Sequence, residues 1–362
     1  MTTLITGGNG FLGLALAEHL IGRGEAVIRH DRASDGPAAR WLSAGSEIVG
    51  GDVRDIDALR RVIVERGVNT IVHAAAMTPD RETEAAAASR IVNVNVLATV
   101  GLLECCAALP AIRRVVVLGS VSVYGFSAPA PSGCYDEALS APAPATLYGI
   151  TKLAAEQAAL RIGELHGLDV RVARVGPVYG PWEHTSGVRP NPSPHFQAIH
   201  AARSGRPVVL ARAMEADWLY SRDAARRIGF LAQAATLEHR VYNVGAGRMS
   251  DLAEWCGRIA ERIPGFDWRL ARAGEAPTLR YGLPVTGRPS RPRAWSTNGA
   301  VNGTVKGSAK EAMRPRPTNP AAAKAKRRRS RKRRTTIFNG SMMLVIAPDI
   351  GRGTWVAWQE RP

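Results

Sequence analysis

Tyr148 and Lys152 carry the clearest chemical signal in this chain. Its first 270 residues hold 27 arginines and one lysine, and that lysine is Lys152. Where positive charge is otherwise supplied by Arg, an isolated Lys suggests that a compact ammonium is specifically required. Arg spreads its charge over a planar fork and substitutes poorly for one. A spacing of i, i+4 on a helix puts the phenol and the ammonium on one face. The ammonium is then expected to lower the phenol's pKa from its ordinary value of about 10 by stabilising the phenolate. A phenol tuned in this way suits proton transfer.

A second constellation lies at the N-terminus. Thr3-Leu4-Ile5 leads through Thr6-Gly7-Gly8-Asn9-Gly10-Phe11-Leu12-Gly13 into an apolar helical pattern, Leu14 to Leu20. Strand, glycine turn and helix in that order suit a dinucleotide. Gly7 permits the turn, Gly10 lets a pyrophosphate approach the backbone, and Gly13 lets helix and strand pack closely. The helix N-terminus then offers free N–H groups to the phosphates. A second strand, Ala26-Val27-Ile28, ends near Asp31, where a carboxylate would bind a ribose 2′-hydroxyl and repel a 2′-phosphate. NAD is therefore favoured over NADP, although Arg29 and Arg32 flank Asp31 and keep NADP as the alternative.

Strands and helices must alternate to position these groups, and they do. A third strand approaches Val49, and Asp55 caps a helix with Leu59, Val62 and Ile63 at helical spacing. Asn69–His73 forms a fourth strand that ends in the small residues Ala74, Ala75 and Ala76, which leave room for a flat cofactor. A long helix is expected from about Glu82 to Leu109. The apolar run Arg114–Leu118 reads as a buried parallel strand that leads to Ser120. A loop at 127–145 precedes the Tyr148 helix, and another strand follows at Val170–Arg174. This order predicts an α/β fold: a Rossmann-type doubly wound parallel sheet with a small C-terminal substrate lobe and an atypical basic tail. Ligands of such sheets lie beyond the carboxyl ends of the strands, where Ser120 and the glycine turn both fall. The expected division is 1–175 for the NAD-binding domain, 176–275 for the substrate lobe and 276–362 for the tail.

The net charge of +17 belongs almost wholly to the tail: residues 1–270 carry +1 and residues 271–362 carry +16. The run Lys326 to Arg334 could bind a polyanion. Lysine use changes abruptly there, with five in 92 residues. The tail therefore reads as non-native, as from a shifted frame, or as disordered, and a nucleic-acid partner is not expected. Cys105, Cys106, Cys134 and Cys256 lack paired metal spacing, so no metal is expected and reduced thiols in the cytoplasm are. No signal peptide is expected before the first strand, and no apolar run reaches the roughly 18 residues of a membrane span.

Together these residues resemble the extended short-chain dehydrogenase/reductases, in particular the NAD-dependent epimerase/dehydratase family. The resemblance covers about residues 1–265 and rests on the glycine turn, Gly51-Asp52-Val53, His73-Ala74-Ala75-Ala76, Asn93-Val94-Asn95-Val96, Ser120 with Tyr124, Tyr148 with Lys152, Pro177-Val178-Tyr179-Gly180-Pro181 and Tyr242-Asn243-Val244-Gly245. It implies catalysis by Ser120, Tyr148 and Lys152. Tyr148 would exchange a proton with a substrate hydroxyl or carbonyl, Lys152 would hold the nicotinamide ribose, and Ser120 would hydrogen-bond the reacting oxygen, with Ser122 as its runner-up. It implies NAD contacts from Gly7, Gly10, Phe11, Leu12, Gly13, Asp31, Asp52, Val53, Ala74, Ala75, Ala76, Asn95, Tyr148, Lys152 and Pro177. It also implies a homodimer built on two helices, one with Leu97, Leu102, Leu103 and Cys106, the other with Leu153, Ala154, Ala158 and Leu160.

Departures from the family pattern bear on substrate. Val121 and Ser122 stand where dehydratases carry Asp-Glu, so dehydration lacks its acid and base. Pro177 and Ala216 stand where nucleotide-sugar epimerases usually place an Asn and a diphosphate-gripping Arg. The expected activity is hydride transfer at a secondary alcohol of a small sugar or sugar acid. A UDP-hexose 4-epimerase is the alternative enzyme, and a nucleotide-sensing or RNA-associated protein the non-enzyme alternative. Arg189 and Arg222 are candidates to meet a substrate anion, with Glu183 and His184 in the same loop as Arg189.

Overall fold

The computed structural model describes residues 1–33 and 40–279, and the short paired strands Met343–Leu344 and Ala357–Trp358. The basic run and the rest of the tail lie outside the described residues.

Seven strands form one all-parallel sheet: β1 (Thr2–Thr6), β2 (Ala26–Asp31), β3 (Ser46–Gly50), β4 (Thr70–His73), β5 (Arg114–Ser120), β6 (Val170–Val175) and β11 (Val241–Val244). Their order is β11-β6-β5-β4-β1-β2-β3. The chain winds outward from β1 in one direction and from β4 in the other, so the switch point lies between them. That is where a doubly wound sheet opens a crevice.

Alternate residues of each central strand serve opposite core layers, because side chains alternate across a sheet. Ile5, Val116 and Leu118 pack with Leu16 and Leu20 of α1 (Phe11–Ile21) and with Ile228 and Leu231 of α7 (Ser221–Gln233). Leu4, Val115 and Val117 pack on the other face. Their partners there include Leu59 and Ile63 of α2 (Ile56–Glu65) and Leu102 and Leu103 of α4 (Ala98–Ala107). The expected cap of α2 is present: the Asp55 side chain accepts from the Ala58 N–H.

The long helix expected from Glu82 to Leu109 is divided. It comprises α3 (Arg81–Val92), a wide π turn at Asn93–Leu97 and α4. Asn95 sits in the π turn with its side chain bonded into the protein, a reason for local rewinding that hydrophobic spacing does not register. Together Arg81–Ala107 is long and apolar enough to pass a test of length and composition for a membrane span, a test that core helices also pass. Here Ile91, Ala98, Leu102 and Leu103 pack into the protein core instead. Leu102, Leu103 and Cys106 are thereby corrected as interface residues, since they face their own sheet. Leu97 is 57% exposed.

Beyond β6 the chain forms short strand pairs and helices. They are β7 (Val178–Tyr179) with β10 (Leu219–Tyr220), β8 (Val208–Leu210) with β13 (Trp268–Leu270), and β9 (Glu215–Ala216) with β12 (Ser250–Asp251). The helices are α6 (Pro194–Arg203), α7 and α8 (Leu252–Ala260). Between α7 and α8 the chain returns to the main sheet as β11.

A buried polar network fixes α5 (Leu147–His166), the helix of Tyr148 and Lys152, to the sheet. Arg174 on β6 donates to both oxygens of Glu156 at 2.9 and 2.5 Å, and both side chains are buried. Arg174 also donates to the Tyr124 hydroxyl (2.8 Å), which donates to Asn243 on β11 (2.8 Å). A Glu156→Ala substitution leaves the guanidinium buried without its counter-charge. It is expected to destabilise the protein by about 3–5 kcal/mol. Urea unfolding midpoints at constant slope check this, and an unchanged midpoint would remove the pair from the account.

Candidate active site

The glycine turn is built for a close ligand. Gly7 has φ +68°, and a Cβ there would lie 2.8 Å from the Ala75 backbone. A Cβ on Gly13 would lie 2.2 Å from the Gly7 carbonyl oxygen. No side chain caps the N-terminus of α1, so its first amides remain available to an anion. Asp31 reaches back to the same turn, where the Asn9 N–H donates to Oδ2 at 3.0 Å and the Ala33 N–H to Oδ1 at 3.2 Å. A bare phosphate-sized approach, free helix amides and a carboxylate at the end of β2 fit a dinucleotide. Arg29 plays no part at a 2′-phosphate. It is buried and donates to Asn9 Oδ1 (2.6 Å), Ser46 Oγ (2.9 Å) and the Trp41 carbonyl (2.6 Å). Asp52 lies beyond β3, paired with Arg54, whose hydrogen bonds hold its pKa down to about 2.

The crevice continues along β4. His73 joins Thr6 Oγ1 (2.8 Å) to Thr99 Oγ1 (3.0 Å), and burial, with Lys152 nearby, pushes its pKa down to about 3. Ala74, Ala75 and Ala76 follow. Asn95 accepts from the Met77 N–H (2.8 Å) and donates to the Met77 carbonyl (3.0 Å) and to Thr151 (3.2 Å). It thus straps the segment after β4 to the turn of α5 between Tyr148 and Lys152. The Pro177 carbonyl is bonded to the Leu219 N–H at 2.8 Å.

Ser120 ends β5. Its Oγ lies 3.0 Å from Ser122 Oγ and accepts from the Ser122 N–H at 3.1 Å. Tyr148 enters from the first turn of α5, where Thr146 caps Gly149 and Glu84 accepts from the Tyr148 N–H at 3.1 Å. Lys152 donates to the Leu118 carbonyl at 2.8 Å, and its Nζ lies 5.9 Å from the Tyr148 ring centre. Burial lowers the Lys152 pKa to about 8. Burial also raises the Tyr148 pKa, opposed by hydrogen bonding to Ser120 and Thr78 and by the charge of Arg189. The expectation of a phenol lowered by Lys152 is therefore corrected. Desolvation dominates, and the ammonium is turned onto a backbone oxygen. At neutral pH the pair is a neutral phenol beside a cation, and the phenol must lose its proton before it can accept one from a substrate hydroxyl.

Two contributors escaped the sequence reading in part. Thr78 carries no spacing signal and is found only through its hydroxyl at Tyr148. Arg189 was one candidate of two, and the structure separates them. Arg222 is committed to Glu18 by two hydrogen bonds of 2.8 Å. Arg189 lies with its guanidinium 5.1 Å from the Phe11 ring centre, on the glycine turn, with its charge felt at Tyr148. One arm reaches Glu183 at 2.9 Å, while Nη1 is buried with no partner.

A doubly wound sheet, a glycine turn at its switch point and Ser/Tyr/Lys beside it define an extended short-chain dehydrogenase/reductase. The chain belongs to the NAD dependent epimerase/dehydratase family, whose model matches residues 3–245. It is 33% identical over 190 residues to UDP-glucuronate 4-epimerase 4 of Arabidopsis thaliana, covering 50% of this chain and 43% of that one. It spans 43% to 49% of the length of the first curated relatives it matches. Among solved structures it is similar to the UDP-glucose 4-epimerase of Thermotoga maritima. That match has a TM-score of 0.65 at 21% identity over 78% of this chain and 90% of that one. It is also similar to MoeE5 in complex with UDP-glucuronic acid and NAD, with a TM-score of 0.58 at 27% identity, covering 76% and 88%.

Asp31 provides a direct test of cofactor choice. Asp31→Ala is expected to weaken NAD and to narrow its advantage over NADP by about tenfold or more, since a carboxylate no longer opposes a 2′-phosphate. Parallel NAD and NADP titrations read this. A wild-type protein that prefers NADP would reverse the assignment and leave Arg32 as the determinant.

Proposed function

We propose that this protein is an NAD-dependent epimerase or oxidoreductase acting at a secondary alcohol of a sugar acid, with the carboxylate near the reacting carbon. The observation that carries the reading is Arg189, whose Nη1 is buried with no partner and whose charge acts on Tyr148. A guanidinium whose charge reaches the catalytic phenol meets an anion close to the reacting oxygen. A carboxylate one carbon from the reacting carbon would stand nearer to the reacting oxygen than a diphosphate joined through the anomeric carbon. The names of the related UDP-glucuronate 4-epimerases favour UDP-glucuronate as the first substrate to test. Ala216 and Pro177, in places where diphosphate contacts usually lie, favour a free sugar acid as the second.

NAD held at the glycine turn (Gly7, Gly10, Gly13) and by Asp31 would supply the hydride acceptor and donor. Tyr148, once it has given up its own proton, would take the substrate hydroxyl proton as the alcohol is oxidised and return it to the same oxygen on reduction, while Ser120 and Thr78 hold the phenol in place and Lys152 keeps a positive charge behind it. Product stereochemistry by NMR, after incubation with NAD and UDP-glucuronate, UDP-glucose or free glucuronate, tests the reading. Turnover of UDP-glucose in preference to both acids would overturn it.

Four free cysteines, three of them buried, suit a reducing cytoplasm. The same reading takes residues 1–175 as the NAD-binding domain and 176–275 as the substrate lobe, with 280–362 not needed for assembly. Thr278 is bonded to Val209 of β8 and Leu279 is buried, so the chain up to 279 belongs with the lobe. A homodimer is supported by Leu97 and Ile150, exposed at 57% and 51% on the helices expected to pair. Leu97→Arg with Ile150→Arg is expected to yield a monomer in sedimentation, while proteolytic loss of the tail leaves the dimer. The opposite pattern would assign assembly to the tail.

A further inference from the structure

Glu183 has no role in the reaction described so far, yet its carboxylate is fully buried. The chain turns sharply before it, with Trp182 at φ +71°. Burial raises the Glu183 pKa, opposed by Arg189 and Ser193, so its place depends on these partners. The Ser193 N–H donates to Oε1 at 2.6 Å and the Ser193 hydroxyl to Oε2 at 2.5 Å. Ser193 is itself the N-cap of α6, accepting from the Phe196 N–H at 3.2 Å. The carboxylate is therefore fixed to a helix N-terminus, an environment that favours negative charge. From this rigid base it holds Arg189 Nη2 at 2.9 Å.

Between them the chain crosses the crevice. The Val188 carbonyl accepts from the Thr78 N–H at 2.9 Å, and Arg189 stacks on Phe11. The Arg189 backbone is closed by its own N–H donating to Ser186 at 3.2 Å. An Arg side chain has several rotatable bonds, and ordering them on binding weakens affinity. With Nη2 tied to Glu183 and the guanidinium against the Phe11 ring, Nη1 is left buried with no partner.

We propose that Glu183 is a positioning residue that pre-orders Arg189, so that its buried, unpartnered Nη1 is held in one place to meet the substrate carboxylate. This rests on the sugar-acid reading above. Glu183 is anchored by Ser193 and would reach the reacting centre through Arg189.

The test titrates NAD-loaded protein with UDP-glucuronate and, in parallel, UDP-glucose. Glu183→Gln keeps an oxygen for Ser193 and removes the charge that holds Arg189. It is expected to weaken UDP-glucuronate by about tenfold, with UDP-glucose and NAD affinities and the melting temperature close to wild type. Glu183→Asp keeps the charge and is expected to fall between. In an Arg189→Ala background, Glu183→Gln is expected to add nothing. Undiminished UDP-glucuronate binding in Glu183→Gln, or an equal further loss on top of Arg189→Ala, would overturn the positioning role while leaving the sugar-acid reading intact. An Arg189→Ala protein that binds UDP-glucuronate as well as wild type would overturn the sugar-acid reading itself. Where wild type does not bind UDP-glucuronate, the same titrations use free glucuronate, and a wild type that binds neither acid would overturn that reading and the positioning role with it.

Discussion

Tyr148→Phe is expected to lower turnover by about 10²–10⁴-fold, the usual contribution of a positioned general acid or base, while NAD affinity stays near wild type. The loss is confined to one oxygen. The Phe ring keeps the shape of the first turn of α5, and the Thr146 cap and the Glu84 contact are made to backbone N–H groups that the change does not touch. Ser120 and Thr78 lose a partner but remain near water or substrate. Steady-state rates beside an NAD titration separate the two effects. Near-normal turnover on the true substrate would remove Tyr148 from the mechanism. A parallel loss of NAD binding would show that the ring holds the crevice together.

Gly13→Ala is expected to damage the cofactor site itself. The added methyl would stand 2.2 Å from the Gly7 oxygen, which accepts the Gly10 N–H at 3.0 Å. No flexible side chain is available to yield there, so the turn must open or α1 must withdraw from β1. Overpacking of this kind costs about 1–3 kcal/mol, and because the strain falls on the pyrophosphate turn, NAD affinity is expected to fall about tenfold to a hundredfold. Calorimetric titration reads it. A wild-type NAD affinity in Gly13→Ala would mean that the dinucleotide does not rest on this turn.

The parts of this site that were legible in the sequence are those set by backbone geometry. The glycine turn needs absent side chains at fixed positions. Asp31 follows from the length of β2, and Tyr148 and Lys152 share a helix face by spacing alone. The buried strand Arg114–Ser120 is equally plain, because a parallel strand covered on both faces has no polar alternation. What stayed hidden was set by tertiary packing. The π turn at Asn93–Leu97 arises from the contact of Asn95 with Met77, 18 residues away. Leu102, Leu103 and Cys106 have the spacing of an interface stripe, and which side of α4 meets the sheet is decided by the fold as a whole.

Electrostatics were the least legible. The spacing of Tyr148 and Lys152 suggests mutual stabilisation of charge, whereas burial acts on both groups and drives each toward its neutral form. Arg189 and Arg222 are indistinguishable in sequence. They part only when Glu18, on α1 and 204 residues from Arg222, is seen to occupy one of them, and the Phe11 ring to lie against the other.

Hydride transfer through this crevice is the central claim, and the fate of the hydrogen on the reacting carbon tests it most directly. Whichever sugar acid is turned over should be supplied with deuterium at that carbon and the product examined by NMR and mass spectrometry. Passage through the nicotinamide predicts deuterium retained at the inverted carbon, or delivered to the cofactor if the reaction stops at oxidation, with none exchanged into water. Washout of the label into solvent, or no turnover of any sugar acid, would contradict the account.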